Sequence, residues 1–206
     1  MPTKSTASLL AAAMIAALGA AGCGASSAGS AQAQTTSGVP ASGGSTVTAA
    51  APCKATVALT EGPYWKAGSP QRTRLRVAGV SGKALKLTGT VVDASCKPIA
   101  GATLDFWQAD GKGSYDNAGF RLRGHQTTGS AGRFTLSTVV PGLYPGRTEH
   151  IHVKVSRPGG KVLTTQLFFP GVKSNGGDGI FVASMLVHGF HKVGAGYRAT
   201  FQFAVA

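Results

Sequence analysis

From residue 53 onward, apolar and polar side chains alternate in short runs separated by turn residues. In residues 85–91, Leu85, Leu87 and Val91 fall on one face while Lys86, Thr88 and Thr90 fall on the other, the period-two pattern of a half-buried strand. Residues 133–138 and 150–155 alternate in the same way, as do residues 199–205, and residues 102–107 form a further candidate strand. Turn formers cluster over residues 93–98, between the first two of these runs. No segment keeps an apolar stripe at helical spacing for more than three turns. Strands and turns at this spacing predict an all-β fold, an antiparallel β-sandwich over residues 53–206.

The first 52 residues read differently. Lys4 is followed by an apolar run over residues 9–21, shorter than the roughly 20 residues of a permanent membrane span. Small residues follow it, so residues 1–22 are expected to be a signal peptide. Ala20-Ala21-Gly22-Cys23 resembles a bacterial lipobox, with Ala20 where Leu is usual, and Ala31-Gln32-Ala33 offers a competing cleavage site. Residues 23–52 are almost wholly Ala, Ser, Gly, Thr, Gln and Val, a composition that buries too little apolar surface to offset its ordering entropy. They are expected to form a disordered tether. Export follows, as a cell-surface lipoprotein attached to the membrane through lipidated Cys23, or otherwise as a secreted protein. Cys53 and Cys96 then remain as a pair expected to form a disulfide, the alternative being an exposed tail cysteine and a buried thiol.

The formal charge is +13, with 20 Lys and Arg against 7 Asp and Glu. It favours anionic surfaces or polymers without specifying a fold. No nucleic-acid-binding module accompanies it, so no nucleic-acid partner is expected.

Chemistry concentrates around Arg147-Thr148-Glu149-His150-Ile151-His152. On a strand His150 and His152 project from one face and can take neighbouring positions on a metal ion; alone, the pair reads first as two surface or hydrogen-bonded histidines. Tyr144 lies between two Pro-Gly pairs, which restrict its backbone, and Tyr115 follows the Gly-rich turn after Trp107. Each tyrosine alone reads first as a packed aromatic whose hydroxyl finds a partner.

In this order and spacing, these segments resemble the intradiol ring-cleavage dioxygenases, the family of catechol and protocatechuate dioxygenases. The resemblance runs over about residues 58–206 and includes Glu61-Gly62-Pro63-Tyr64, the stretch from Trp107 to Tyr115, Arg123-Gly124, Tyr144, Arg147 to His152, and Gln166-Leu167-Phe168-Phe169-Pro170. It implies a non-haem Fe(III) cofactor held by Tyr115, Tyr144, His150 and His152, with Tyr144 and His152 axial and Tyr115 and His150 equatorial. It implies Arg147 and Gln166 as active-site residues beside Tyr144, and Pro63, Tyr64 and Arg147 as contacts to the substrate. The implied reaction is cleavage of a catechol-type aromatic diol by O2 to a muconate-type dicarboxylic acid. The donor set agrees on chemical grounds: a phenol with a solution pKa near 10 ligates only a strongly charged cation, and ferric iron suits phenolate oxygen where zinc draws on Cys, His and carboxylates.

Several residues fall outside this set. Strand alternation places Glu149 with Ile151, away from the histidine face, and His125, His188 and His191 are not expected to bind the metal. A non-catalytic β-sandwich binding module is the alternative from another class, and it leaves the tyrosines and the His pair unexplained. A metal-dependent hydrolase would need a carboxylate base beside the histidines, for which only Glu149 is near in sequence.

Overall fold

A computed structural model of the chain describes residues 53–206. Eight strands form two four-stranded sheets: β1 (Ala84–Val92), β2 (Thr103–Gln108), β3 (Arg123–Thr127), β4 (Arg133–Val139), β5 (His150–Ser156), β6 (Leu163–Phe168), β7 (His188–Val193) and β8 (Gly196–Ala204). One sheet has the order β4-β1-β8-β7 and the other β3-β2-β5-β6. Two short 3-10 turns, Lys173–Gly177 and Ala183–Met185, interrupt the return from β6 to β7. The inward side chains of both sheets, among them Leu85, Leu87, Leu104, Phe106, Leu136, Ile151, Val153 and Phe203, are almost fully buried and form the core. The β-sandwich expected from the alternation is present.

One strand pair departs from the antiparallel expectation. β8 lies parallel to β1, with Leu87 beside Ala199 and Thr90 beside Gln202. Parallel neighbours need a long crossover, and here the whole second sheet intervenes between them in sequence.

The signal peptide expected over residues 1–22, the tether over 23–52 and Cys23 lie outside the described residues. The expected membrane attachment through Cys23 and the expected exported, cell-surface location are corrected here. The cysteine chemistry displayed by the described residues is an internal disulfide, Cys53–Cys96, and a sulfur held in a disulfide has no thiol to acylate. Among the described residues no helix is long and apolar enough to cross a membrane.

The second sheet positions the functional residues. Its strand register aligns Arg123 with Trp107, Trp107 with His152 and His152 with Gln166, one residue from each strand in a single row. These side chains sit on the sheet face turned away from the sandwich core, yet each is at most 2% exposed. The connecting loops cover them, and the candidate site lies beneath that cover.

Candidate active site

Each tyrosine reaches the site on a turn whose geometry its neighbours dictate. Tyr144, Pro145, Gly146 and Arg147 close a tight turn in which Arg147 N donates to Tyr144 O at 3.0 Å. Pro145 supplies the fixed φ of the second position and Gly146, at φ 80°, the positive φ of the third. The turn sets Tyr144 and Arg147 side by side. In the other loop, Asp110 Oδ1 accepts from Lys112 N at 2.8 Å and Ser114 N at 3.0 Å, turning the chain just before Tyr115. The two loops meet backbone to backbone. A Cβ on Gly113 would lie 2.0 Å from Leu143 O, and one on Gly142 would lie 2.5 Å from Gly111 O, so glycine is required at both.

Four rings close a circuit. Their centroids are separated by 5.8 Å between Tyr115 and Tyr144, 5.6 Å between Tyr144 and His150, 4.7 Å between His150 and His152, and 6.4 Å between His152 and Tyr115. Among the described residues no group of three or more His, Cys, Asp or Glu comes together. This cluster is built instead from two imidazoles and two phenols.

Its polar atoms fit a multiply charged cation. His150 Nδ1 lies 2.6 Å from Thr148 O, and a carbonyl only accepts, so Nδ1 carries the proton. The lone pair of neutral His150 is then on Nε2, which faces His152 Nε2 at 3.1 Å. Burial keeps both rings neutral, lowering His150 to about 4 and His152 well below its ordinary range. Tyr115 Oη and His152 Nδ1 are buried without a hydrogen-bond partner. Burial, and after it the neighbouring Tyr144, push the Tyr115 phenol far above its ordinary pKa, and burial also raises Tyr144. Phenols so placed ionise only beside a strong positive charge. Ferric iron meets that need, and hard phenolate oxygen suits it.

Partners around the circuit hold it in place. Trp107 stacks on His152 with centroids 4.7 Å apart and an interplanar angle of 7°. Gly62, at φ 67°, brings its backbone against the same imidazole. Tyr64 stacks on Tyr115 at 4.2 Å and meets Tyr144 edge-on at 6.2 Å, whereas Pro63 lies exposed in the turn that carries Tyr64. Arg147 Nη1 donates to Tyr144 Oη at 3.4 Å and Nη2 to Gln166 Oε1 at 2.5 Å, while Gln166 Nε2 donates to Thr60 O at 2.8 Å. A cavity of about 430 Å³ opens beside Tyr144 and Arg147, walled by Leu143, Pro145, Ser174 and Asp178 among others.

Sequence reasoning missed two contributors. Asp178 is buried and accepts from Arg147 Nε at 3.0 Å and Thr148 N at 2.8 Å; hydrogen bonds from Thr148 and Ile180 and the Arg147 charge hold its carboxyl below the usual range against the opposing effect of burial. It is therefore the carboxylate nearest Arg147, and it is occupied as a counter-ion. Arg123 ties the Tyr64 segment to the Tyr115 loop by donating to Tyr64 O and to Asp116 O. Only strand pairing and chain return place these residues, although the Arg123-Gly124 pair was already part of the resemblance. Glu149 lines a separate cavity with Lys83, Phe190 and Tyr197, His125 bonds Ser69 O, and His188 and His191 are exposed on β7.

Comparison with known proteins agrees with this architecture. The sequence model of the Dioxygenase family matches residues 60–193. The chain is 30% identical over 171 residues to 6-chlorohydroxyquinol 1,2-dioxygenase of Cupriavidus pinatubonensis, covering 70% of this chain and 62% of that protein. Among solved structures, it is similar to the dioxygenase domain of a dioxygenase carbohydrate-binding protein fusion from Streptomyces sp. SirexAA-E, with 50% identity and a TM-score of 0.72 over 74% of this chain and 98% of that one. It is also similar to 3-chlorocatechol 1,2-dioxygenase of Rhodococcus opacus 1CP, with 28% identity and a TM-score of 0.67 over 72% of this chain and 71% of that one. The chain belongs to the intradiol dioxygenase family of catechol and hydroxyquinol 1,2-dioxygenases. It spans 57% to 62% of the length of three curated relatives it matches.

Proposed function

We propose that the chain is a non-haem Fe(III)-dependent oxidoreductase that opens the ring of a catechol-type diol between its two hydroxylated carbons. Both atoms of O2 enter the product, a muconate-type dicarboxylic acid. The observation that carries this reading is the circuit of two phenols and two imidazoles, with facing imidazole nitrogens and an unpartnered buried phenol. Tyr115, Tyr144, His150 and His152 would hold the iron. Once bound, ferric iron would supply Lewis acidity that keeps the phenols ionised and acidifies a chelating diol.

The chain's own groups do the rest. Tyr144 is the less buried phenol and has Arg147 Nη1 beside its Oη, so Tyr144 Oη is the atom suited to take a proton from the incoming diol. Arg147, fixed at Nε by Asp178 and at Nη2 by Gln166, turns its charge towards the negative charge that develops on the substrate. Such a preorganised contact is often worth about 3 kcal/mol of barrier. Tyr64 walls the ring space, while Leu143 and Pro145 provide apolar surface in the adjoining cavity. Diols of the kind named for the relatives, hydroxyquinols and chlorocatechols, are the substrate class to test.

Oxygen uptake with a panel of such diols tests the proposal. The expected result is one O2 consumed per diol, with both atoms of isotopically heavy O2 in a ring-opened dicarboxylate. Diol loss without oxygen incorporation, or full turnover in His150→Ala, would contradict it.

A further inference from the structure

The sheet on the opposite side of the molecule carries a charge pattern that its folding does not need. On the solvent face of β4-β1-β8-β7, strand pairing places Ser137 beside Lys86, Lys86 beside Arg198, and Arg198 beside His191. Arg74, in a segment bridged to β4, lies beside Ser137 and extends the same row. Arg74, Lys86, Arg198 and His191 are all exposed. Like charges directly across neighbouring strands repel and destabilise a sheet, and nothing here offsets them. The ion pairs among the described residues involve Arg121, Arg147 and Lys154, so none neutralises this row. None of the chain's 7 acidic residues lies on these four strands, and residues 1–52 contain no Asp or Glu that could cover them.

Beside the cationic row lie rows of hydrogen-bonding groups. Thr135, Thr88 and Thr200 align across three strands, and Arg133, Thr90 and Gln202 align in the next row. A groove of about 420 Å³ is lined by Thr88, Thr90, Arg133 and Thr135.

We infer that this face binds a linear acidic polysaccharide. Carboxylates along such a polymer match the Arg74–Lys86–Arg198 row, and its hydroxyls match the Thr and Gln rows. Other polyanions fit less well. Four strands spaced about 4.8 Å apart make a surface about 14 Å across, wider than the roughly 12 Å major groove of a DNA duplex. The rows named here contain no Phe, Tyr or Trp ring on which single-stranded bases could stack. They also present no apolar side chain to enter a lipid surface. The outer faces of the two sheets point in opposite directions, so a polymer bound here leaves the candidate active site uncovered.

Native-gel retardation of the full chain by polygalacturonate at low ionic strength tests the inference, with neutral dextran, duplex DNA and anionic phosphatidylserine vesicles as comparison ligands. Wild type should be retarded by polygalacturonate in preference to all three. The Lys86→Glu/Arg198→Glu variant should bind at least about tenfold more weakly, with diol turnover unchanged. Lys86→Gln/Arg198→Gln should give a smaller loss in the same direction and serves if charge reversal impairs folding. Lys97→Glu/Lys161→Glu, which makes the same charge change elsewhere, should bind as wild type does. Equal losses in both Glu pairs would reduce the effect to net charge and overturn the inference. So would preferential binding to dextran, DNA or vesicles.

Discussion

The charge stabilisation proposed for Arg147 requires its guanidinium to be aimed, and Asp178 holds it at Nε. Asp178→Asn keeps the shape but removes the charge that fixes Nε. It should lower kcat by about tenfold to a hundredfold, the scale of loss caused by misplacing a catalytic group by about 1 Å. Iron content should remain unchanged, as measured by metal analysis beside steady-state kinetics. Asp116 acts on the neighbouring tyrosine loop: its carboxylate accepts from Gly119 N and Arg121 N, which lower its pKa from 3.8 to about 2. The unfolded chain therefore binds more protons in that interval. The stabilisation is complete above pH 3.8 and is lost as pH falls through about 2. Asp116→Asn should flatten the acid limb of a stability profile measured by denaturant titration between those values. At this scale the shared strand of His150 and His152 and the marked turns around Tyr115 and Tyr144 are legible in sequence, but only the family resemblance joins the four as a proposed donor set. Asp178 is not legible, since it arrives 30 residues after Thr148 on an irregular return whose partners no periodicity announces.

Alternation is plainest in strands with one solvated face, although β5 alternates while buried on both, its outer face carrying His150 and His152. β1, β4 and β8 alternate clearly because their outer side chains meet water. β3 and β6 escape notice because loops cover their outer faces, so Arg123 and Gln166 are buried polar residues where alternation would place exposed ones. β7 escapes because it is a bulged edge strand, exposed along nearly all its length. The contact between the tyrosine loops also has its own test. Gly142→Ala forces a methyl group against Gly111 O and should cost about 2 kcal/mol or more. Because the clash separates the two loops, iron affinity should fall as well, although no ligand has changed. Thermal unfolding and metal titration would measure the two effects.

At the scale of the described molecule, the disulfide links the segment that carries Tyr64 to the sandwich. Cys53 is joined to Cys96 in the turn after β1, and the segment beyond Cys53 bonds Ala204 through Thr56 and Thr164 through Leu59 before reaching Thr60, Gly62 and Tyr64 at the site. A closed loop spanning 43 positions contributes about 4 kcal/mol in the chain-entropy account. The Cys53→Ser/Cys96→Ser variant should therefore lose about 8–16 °C in Tm by calorimetry. The cysteine count could suggest this pair, but only the fold shows that it anchors the segment leading to the candidate active site.

The central claim is that two phenols and two imidazoles hold one ferric ion. The visible spectrum of the iron-loaded protein tests it most directly. The account predicts a strong phenolate-to-iron charge-transfer band, displaced or weakened in Tyr115→Phe and in Tyr144→Phe, and loss of iron in His150→Ala. A colourless iron-loaded protein, or a band unchanged by both tyrosine substitutions, would contradict it.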